Sequence, residues 1–115
     1  MTASTHTFTI DRHDLLPPLT WAATYSDGTI IDLSTVTNPE FHMRLASAAD
    51  LSAPKIDAAA VVTDGPGGII RYNWAGTDTD TAGTYNAEFE VVVSGKPLTI
   101  PTDRQLIVRV RGDIA

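Results

Sequence analysis

Histidine and carboxylate side chains that lie close together are the first place to look for chemistry in this chain. Asp11, His13 and Asp14 stand within four residues of one another. A carboxylate beside an imidazole orients the ring and makes it more basic, so this cluster could serve in acid–base catalysis or bind a metal ion. The same residue types are common in solvated loops and turns, and we favour that interpretation because no second histidine follows at a metal-binding spacing.

The acidic segment DTDTAG at residues 78–83 begins like a calcium-binding loop, with Asp78 and Asp80 two positions apart. An EF-hand loop also needs an oxygen ligand at its fifth position and a glutamate at its twelfth. Those positions hold Ala82 and Phe89 in this chain, so the calcium interpretation fails. We expect the two aspartates to cap backbone amides within a turn.

The composition excludes further classes of chemistry. The chain has no cysteine, so it can form no disulfide, thiolate zinc site or cysteine nucleophile. The DGPGG segment at residues 64–68 lacks the Lys-Ser/Thr of a phosphate-binding loop, and no serine lies in a G-x-S-x-G motif. We therefore predict that the protein is not an enzyme and binds no cofactor or metal ion.

The net charge of the chain and the length of its apolar runs argue against nucleic-acid and membrane partners. The formal net charge is −6 over 115 residues. Nucleic acids and anionic membranes attract proteins with a surplus of Lys and Arg, so neither partner is expected. Residues 1–10 lack the features of a signal peptide, and no apolar run reaches the roughly 20 residues that cross a bilayer. We expect a single domain over residues 1–115, with an ordered core at about 5–111.

Alternating apolar and polar residues predict β-strands along most of the chain. In residues 40–45, Phe41, Met43 and Leu45 share one face while His42 points the other way. Residues 56–62 alternate more weakly and predict one further strand. In all, about seven or eight strands follow one another at intervals of roughly 8–12 residues, which is typical of an all-β, immunoglobulin-like antiparallel sandwich.

Turn residues separate these strands. Asp-Gly at residues 27–28 supplies the positive φ angles of a tight hairpin. Tyr25 before this turn and Ile30 after it are both expected to face the core. Pro97 and Pro101 flank a short extended segment and are expected to protect a sheet edge from pairing.

The segment that leads into residue 85 predicts a tyrosine corner, in which a tyrosine near the start of a strand donates its hydroxyl to an upstream backbone group. Asp80, Gly83 and Tyr85 supply the polar residue, the tight bend and the tyrosine. The alternative is that Tyr85 is a core aromatic residue without this bond.

Two tryptophans, Trp21 and Trp74, are candidates for a ligand-binding or interface surface, because exposed aromatic rings stack on the apolar faces of sugars. Both lie on strand faces that also carry apolar residues, next to Leu19 and Ile70. We favour packing in the core for both rings.

The pattern over residues 8–45 and 62–91 resembles the N-terminal domain family of the phage baseplate upper protein. The most specific part reads G-x-x-x-Y-x-W-x-x-x-D-T-x-x-x-G-x-Y-x-A-E-F-E. It is matched by Gly68, Tyr72, Trp74, Asp78, Thr79, Gly83, Tyr85, Ala87, Glu88, Phe89 and Glu90. Arg12, His13 and Asp14 depart from the family, which has Gly-Asp in the first turn.

The resemblance implies a non-enzymatic structural protein of a tailed-phage virion, made in the cytoplasm of the bacterial host. It would dock onto other tail, baseplate or neck proteins as a homo-oligomeric ring, with contact elements at residues 1–7, 47–55 or 94–104. Two alternatives stay open. One is a neck (head–tail connector) or capsid-decoration role within the virion, and the other is a small carbohydrate-binding module that uses the tryptophans.

Overall fold

The computed structural model describes residues 4–47 and 54–112, which form strands and loops without a helix. Within these ranges nine strands lie in two sheets, one or two more than the seven or eight expected, and they confirm the predicted all-β sandwich. In chain order the strands are β1 (Ser4–Asp11), β2 (Leu19–Ala22), β3 (Thr37–Leu45), β4 (Ile56–Ala59), β5 (Val61–Asp64), β6 (Ile69–Tyr72), β7 (Gly83–Val93), β8 (Lys96–Ile100) and β9 (Arg104–Arg111). Within the described ranges, no helix is long and apolar enough to span a membrane.

The larger sheet has the strand order β1-β9-β7-β3-β4, and β8 pairs with the second half of β7. β1 runs parallel to β9, whereas the other pairs of this sheet are antiparallel. The smaller sheet has the order β2-β6-β5. Alternate residues of both sheets face each other and form one core.

A stack of aromatic rings joins the two sheets at the centre of the core. Phe41 of β3 and Phe89 of β7 are paired neighbours in the larger sheet, with ring centroids 5.1 Å apart. Tyr72, from β6 of the smaller sheet, stacks on Phe41 at 4.4 Å. Such pairs contribute about 0.5–1.5 kcal/mol beyond the area they bury, so they help to hold the sheets in one relative position.

The chain changes sheets within residues 56–62, where the sequence predicts one continuous strand. β4 pairs with β3 of the larger sheet, whereas β5 pairs with β6 of the smaller sheet. Ala60 is buried at this crossing, and its N–H donates to the carbonyl oxygen of Pro39 at 2.9 Å. The prediction of a single strand is wrong because a strand that moves between layers must break its ladder, which alternation alone does not reveal.

Three residues that alternation places in the core lie at its margin instead. Tyr25, Ile30 and Leu45 are 43%, 55% and 41% exposed. Tyr25 and Ile30 lie beyond the end of β2, in a turn closed by the bond from the Tyr25 N–H to the carbonyl oxygen of Thr29. Leu45 is the last residue of β3. A segment that extends past the facing sheet still alternates apolar and polar residues. Its apolar side chains are exposed there because no second sheet covers them.

Candidate functional site

Asp11, His13 and Asp14 do not form a common site. Asp11 pairs with Arg111, whose Nη2 lies 2.6 Å from Oδ1. The backbone N–H of His13 donates to the carbonyl oxygen of Thr79, and the carbonyl oxygen of Asp14 accepts the Thr79 hydroxyl at 2.9 Å. This segment therefore anchors the loop around Thr79, in agreement with the structural interpretation of the cluster.

The acidic turn before β7 is held together by its own carboxylates. Asp78 Oδ2 accepts the Tyr72 hydroxyl at 2.6 Å and the N–H of Ala75 at 2.9 Å. Burial, followed by the hydrogen bond to Asp78 and its negative charge, raises the pKa of Tyr72 well above the ordinary value. Asp80 accepts a hydrogen bond from Lys55 Nζ at 2.5 Å, and this contact lowers the pKa of Asp80. Asp78 therefore caps a backbone amide, and Asp80 joins the turn to the start of β4.

Tyr85 has the geometry of a tyrosine corner. Its ring is buried, and its hydroxyl donates to the carbonyl oxygen of Thr81 at 2.7 Å, four residues upstream. Burial raises the pKa of this hydroxyl. Gly83 opens β7 at a crowded point, because a Cβ atom there would lie 3.2 Å from Leu45 Cδ1. Asp80 contributes to the corner through its ion pair and not through a bond with the tyrosine hydroxyl.

The two tryptophans have different surroundings and form no shared binding surface. Trp74 is only 4% exposed, and its Nε1–H donates to the carbonyl oxygen of Pro17 at 3.1 Å. This burial contradicts a ligand-stacking role for Trp74. Trp21 is half-buried, with the His6 ring against it at 5.0 Å and the Arg104 guanidinium 5.9 Å from its ring centroid. These two side chains therefore cover part of the Trp21 ring.

A cluster that sequence analysis missed lies on the outer face of the larger sheet. His42 of β3 stands between Asp57 of β4 and Glu88 of β7, which are its register partners on either side. Glu40 of β3 and Glu90 of β7 are also register partners, two residues along from His42 and Glu88. Because alternate residues of a strand share a face, all five side chains project from the same side of the sheet.

Both ring nitrogens of His42 face carboxylate oxygens. Nδ1 lies 3.2 Å from Glu88 Oε2, while Nε2 lies 3.3 Å from Asp57 Oδ1 and 4.0 Å from Glu40 Oε1. The His42 side chain is 27% exposed, so its edge can be reached from solvent. A neutral imidazole carries one N–H and can donate toward only one of these sides. The other nitrogen then directs a lone pair at carboxylates, which is favourable only with a proton or a cation between them.

A surface groove of about 410 Å³ opens beside this cluster, and its lining includes His42, Asp57, Glu88, Arg44 and Gln105. Two sets of donor atoms around it could hold a metal ion. One set is Glu40, His42 and Asp57, and the other is His42, Glu88 and Glu90.

The signal for this cluster is present in the sequence but weak. EFH at residues 40–42 and EFE at residues 88–90 each place two polar side chains on one strand face. Only the register of β3 against β7 and β4 brings these pairs together with Asp57. The prediction that His42 faces outward is confirmed, but its four acidic neighbours could not be inferred.

No family model, curated protein sequence or solved structure matches this chain. Functional conclusions therefore depend on the residue pattern and on the geometry of the described residues.

Proposed function

We propose that the protein is a non-enzymatic structural component of a tailed-phage virion, most simply a tail or baseplate assembly protein that docks onto neighbouring virion proteins. Two observations support this proposal: the residue pattern shared with the baseplate upper protein family, and a sandwich fold of the kind that this resemblance implies. In this proposal the chain is made in the host cytoplasm and is incorporated into the virion as a ring of identical subunits.

The observation that carries the proposal is the outer edge of β1. An unpaired strand edge is a template for another chain, and proteins usually blunt such edges with short strands, charges or prolines. β2, β4 and β5 are edge strands of four residues each, and β8 contains a proline. β1 is eight residues long, has no proline, and has no Lys, Arg, Asp or Glu before Asp11.

The register shows which backbone groups this edge offers. The N–H of Arg12 donates to the carbonyl oxygen of Arg111 at 2.8 Å, and the parallel register continues back along the whole of β1. In a parallel ladder alternate residues bond to the same neighbour, so the even-numbered residues of β1 face β9. Thr5, Thr7 and Thr9 therefore direct their N–H and C=O groups away from the sheet. A strand of a neighbouring protein could add at this edge through main-chain hydrogen bonds.

The outer edge of β8, unlike that of β1, has few N–H groups for another strand to bind. Ser94 and Gly95, both at positive φ, form the two-residue turn between β7 and β8. In such a hairpin the two flanking residues, here Val93 and Lys96, form a hydrogen-bonded pair. The backbone nitrogen of Pro97, the next residue, is therefore directed away from β7. Its missing N–H removes one donor from that edge, and Pro101 removes another just beyond the strand. Thr99 is left as the one outward donor of β8.

Of the contact elements expected from sequence, residues 4–7 belong to β1, so they are part of a paired strand and not of a free arm. Residues 94–104 include the protected strand β8. Residues 48–53 of the third element lie outside the described residues. The β1 edge is therefore the element to test.

A proline substitution separates edge pairing from other effects. The double variant Thr7→Pro/Thr9→Pro removes two outward N–H groups without removing a bond to β9, whereas Thr7→Val/Thr9→Val keeps both N–H groups. Each variant is co-expressed with the proteins encoded beside this chain, and complexes are measured by size-exclusion chromatography with light scattering. Circular dichroism confirms that each variant is folded.

We expect the wild-type chain and the valine variant to form a complex with a tail or baseplate protein and the proline variant to lose it. A folded proline variant that assembles like the wild type would contradict docking at β1. Binding of cell-wall glycans, without any virion protein as a partner, would overturn the structural role itself.

A further inference from the structure

We propose that Glu40, His42 and Asp57 bind a divalent transition-metal ion of the zinc class, with Glu88 positioning the histidine ring. The three donor atoms lie within 4.8 Å of one another. Tetrahedral ligands at about 2.1 Å from zinc are about 3.4 Å apart. Nε2 of His42 is 3.3 Å from Asp57 Oδ1 and 4.0 Å from Glu40 Oε1, so small side-chain rotations bring all three to ligand spacing.

Glu88 can hold the histidine ring in the tautomer that leaves Nε2 free to bind the ion. When Nδ1 carries the proton, it donates to Glu88 Oε2 at 3.2 Å. This bond fixes the ring and leaves the Nε2 lone pair directed at Glu40 and Asp57. A carboxylate that accepts the second N–H of a metal-binding histidine is the usual arrangement around such ions, where it orients the ring and increases its basicity.

The close approach of Nε2 to Asp57 places a nitrogen donor atom 3.3 Å from a carboxylate oxygen. With Nδ1–H directed at Glu88, two lone pairs meet at 3.3 Å, and they repel each other unless a positive charge lies between them. Carboxylate oxygens of Glu40, Asp57 and Glu88 all lie within 4.0 Å of a nitrogen atom of the same ring. A cation at Nε2 would neutralise this concentration of negative charge.

The donor types indicate the class of metal. Imidazole nitrogen suits Zn²⁺, Ni²⁺ and Co²⁺, whereas Ca²⁺ and Mg²⁺ prefer sites made entirely of oxygen ligands. Three protein ligands leave a coordination position for water, and the adjacent groove gives solvent access to the ring. Because Asp57 belongs to the short edge strand β4 and the other two ligands belong to β3, the ion would link β4 to the sheet. It would also raise the stability of the folded chain, since the unfolded chain does not hold these ligands together.

The test is calorimetric titration of the whole chain with ZnCl₂, with CaCl₂ as the comparison ion. His42→Gln and Asp57→Asn each remove a ligand, and Glu88→Gln removes the positioning carboxylate. His13→Gln is the matched control, because it removes a histidine whose backbone, not its ring, makes the contact described above. Urea unfolding in EDTA shows that each variant is folded, and thermal unfolding with and without zinc gives a second readout.

We expect one zinc ion per chain, with little heat from calcium. His42→Gln and Asp57→Asn should weaken binding by at least about tenfold, Glu88→Gln by about tenfold, and His13→Gln not at all. Zinc should raise the unfolding temperature of the wild type and of His13→Gln by the same amount, and that of the other three variants by clearly less. The proposal is overturned if the wild type takes up no zinc, if the folded His42→Gln variant binds as tightly as the wild type, or if calcium binds equally well.

Discussion

The three tyrosines of this chain provide an internal series for measuring what a phenolic hydroxyl contributes to the sandwich. Tyr25 is 43% exposed, and no hydrogen bond from its hydroxyl is found among the described residues. The buried Tyr85 donates to a neutral carbonyl oxygen at 2.7 Å, and the buried Tyr72 donates to the Asp78 carboxylate at 2.6 Å. Tyr→Phe at each position removes one oxygen atom and leaves the ring in place.

The expected losses follow from the partner of each hydroxyl. A neutral hydrogen bond contributes about 0.5–1.5 kcal/mol, and one to a charged group about 1.5–3 kcal/mol. Tyr85→Phe should therefore lower the free energy of unfolding by about 1 kcal/mol, and Tyr72→Phe by about 2 kcal/mol. Tyr25→Phe should change it by less than about 0.5 kcal/mol, as surface substitutions usually do.

Urea unfolding at pH 7, followed by tryptophan fluorescence and by circular dichroism, measures these differences. The slope of free energy against urea should stay the same in all three variants, which shows that the unfolded and native states expose the same surface as before. If Tyr85→Phe is as stable as the wild type, the corner hydrogen bond does not support the fold. If Tyr25→Phe loses as much as Tyr72→Phe, the assignment of effects to these bonds is wrong.

Two further predictions concern pH and backbone shape. The raised pKa of Tyr72 means that its proton stabilises the folded state fully below the unfolded pKa of about 10, and that this stability is lost as pH rises above it. Between pH 9 and 11 the wild type should therefore lose more free energy of unfolding than Tyr72→Phe, and equal losses would refute this linkage. Gly68 has φ +71, and a Cβ there would lie 2.6 Å from the Ile31 carbonyl oxygen, whereas Gly28 has φ +91 and open space around it. Gly68→Ala should destabilise the fold by more than about 2 kcal/mol and Gly28→Ala by about 1 kcal/mol, as measured by urea unfolding.

Alternation along the strands was enough to predict the fold class and much of the core. Phe41, Met43 and Phe89 are buried as their positions require. Alternation could not show where one layer ends, so it misplaced Tyr25 and Ile30, which lie in the turn beyond β2, past the cover of the facing sheet. Alternation also could not show that the chain changes sheets within residues 56–62, because the period of two continues across the crossing.

The candidate site was less predictable because it depends on register. His42 and its acidic neighbours come from three strands that are far apart in the sequence, and a shift of one residue would turn the histidine inward. The corner at Tyr85 could be anticipated because all of its parts lie within residues 80–85. The open edge of β1 could not be anticipated, because it depends on the strand order: among the described strands β1 pairs with β9 alone.

Amide hydrogen exchange along β1, resolved residue by residue by NMR, tests the proposed docking most directly. In the isolated chain the amides of Phe8 and Ile10 should exchange slowly and those of Thr7 and Thr9 rapidly, since only the even-numbered N–H groups bond to β9. In a complex with the proposed virion partner, Thr7 and Thr9 should become as protected as their neighbours. If Thr7 and Thr9 exchange at the same rapid rate in the assembled complex, the partner does not pair with β1.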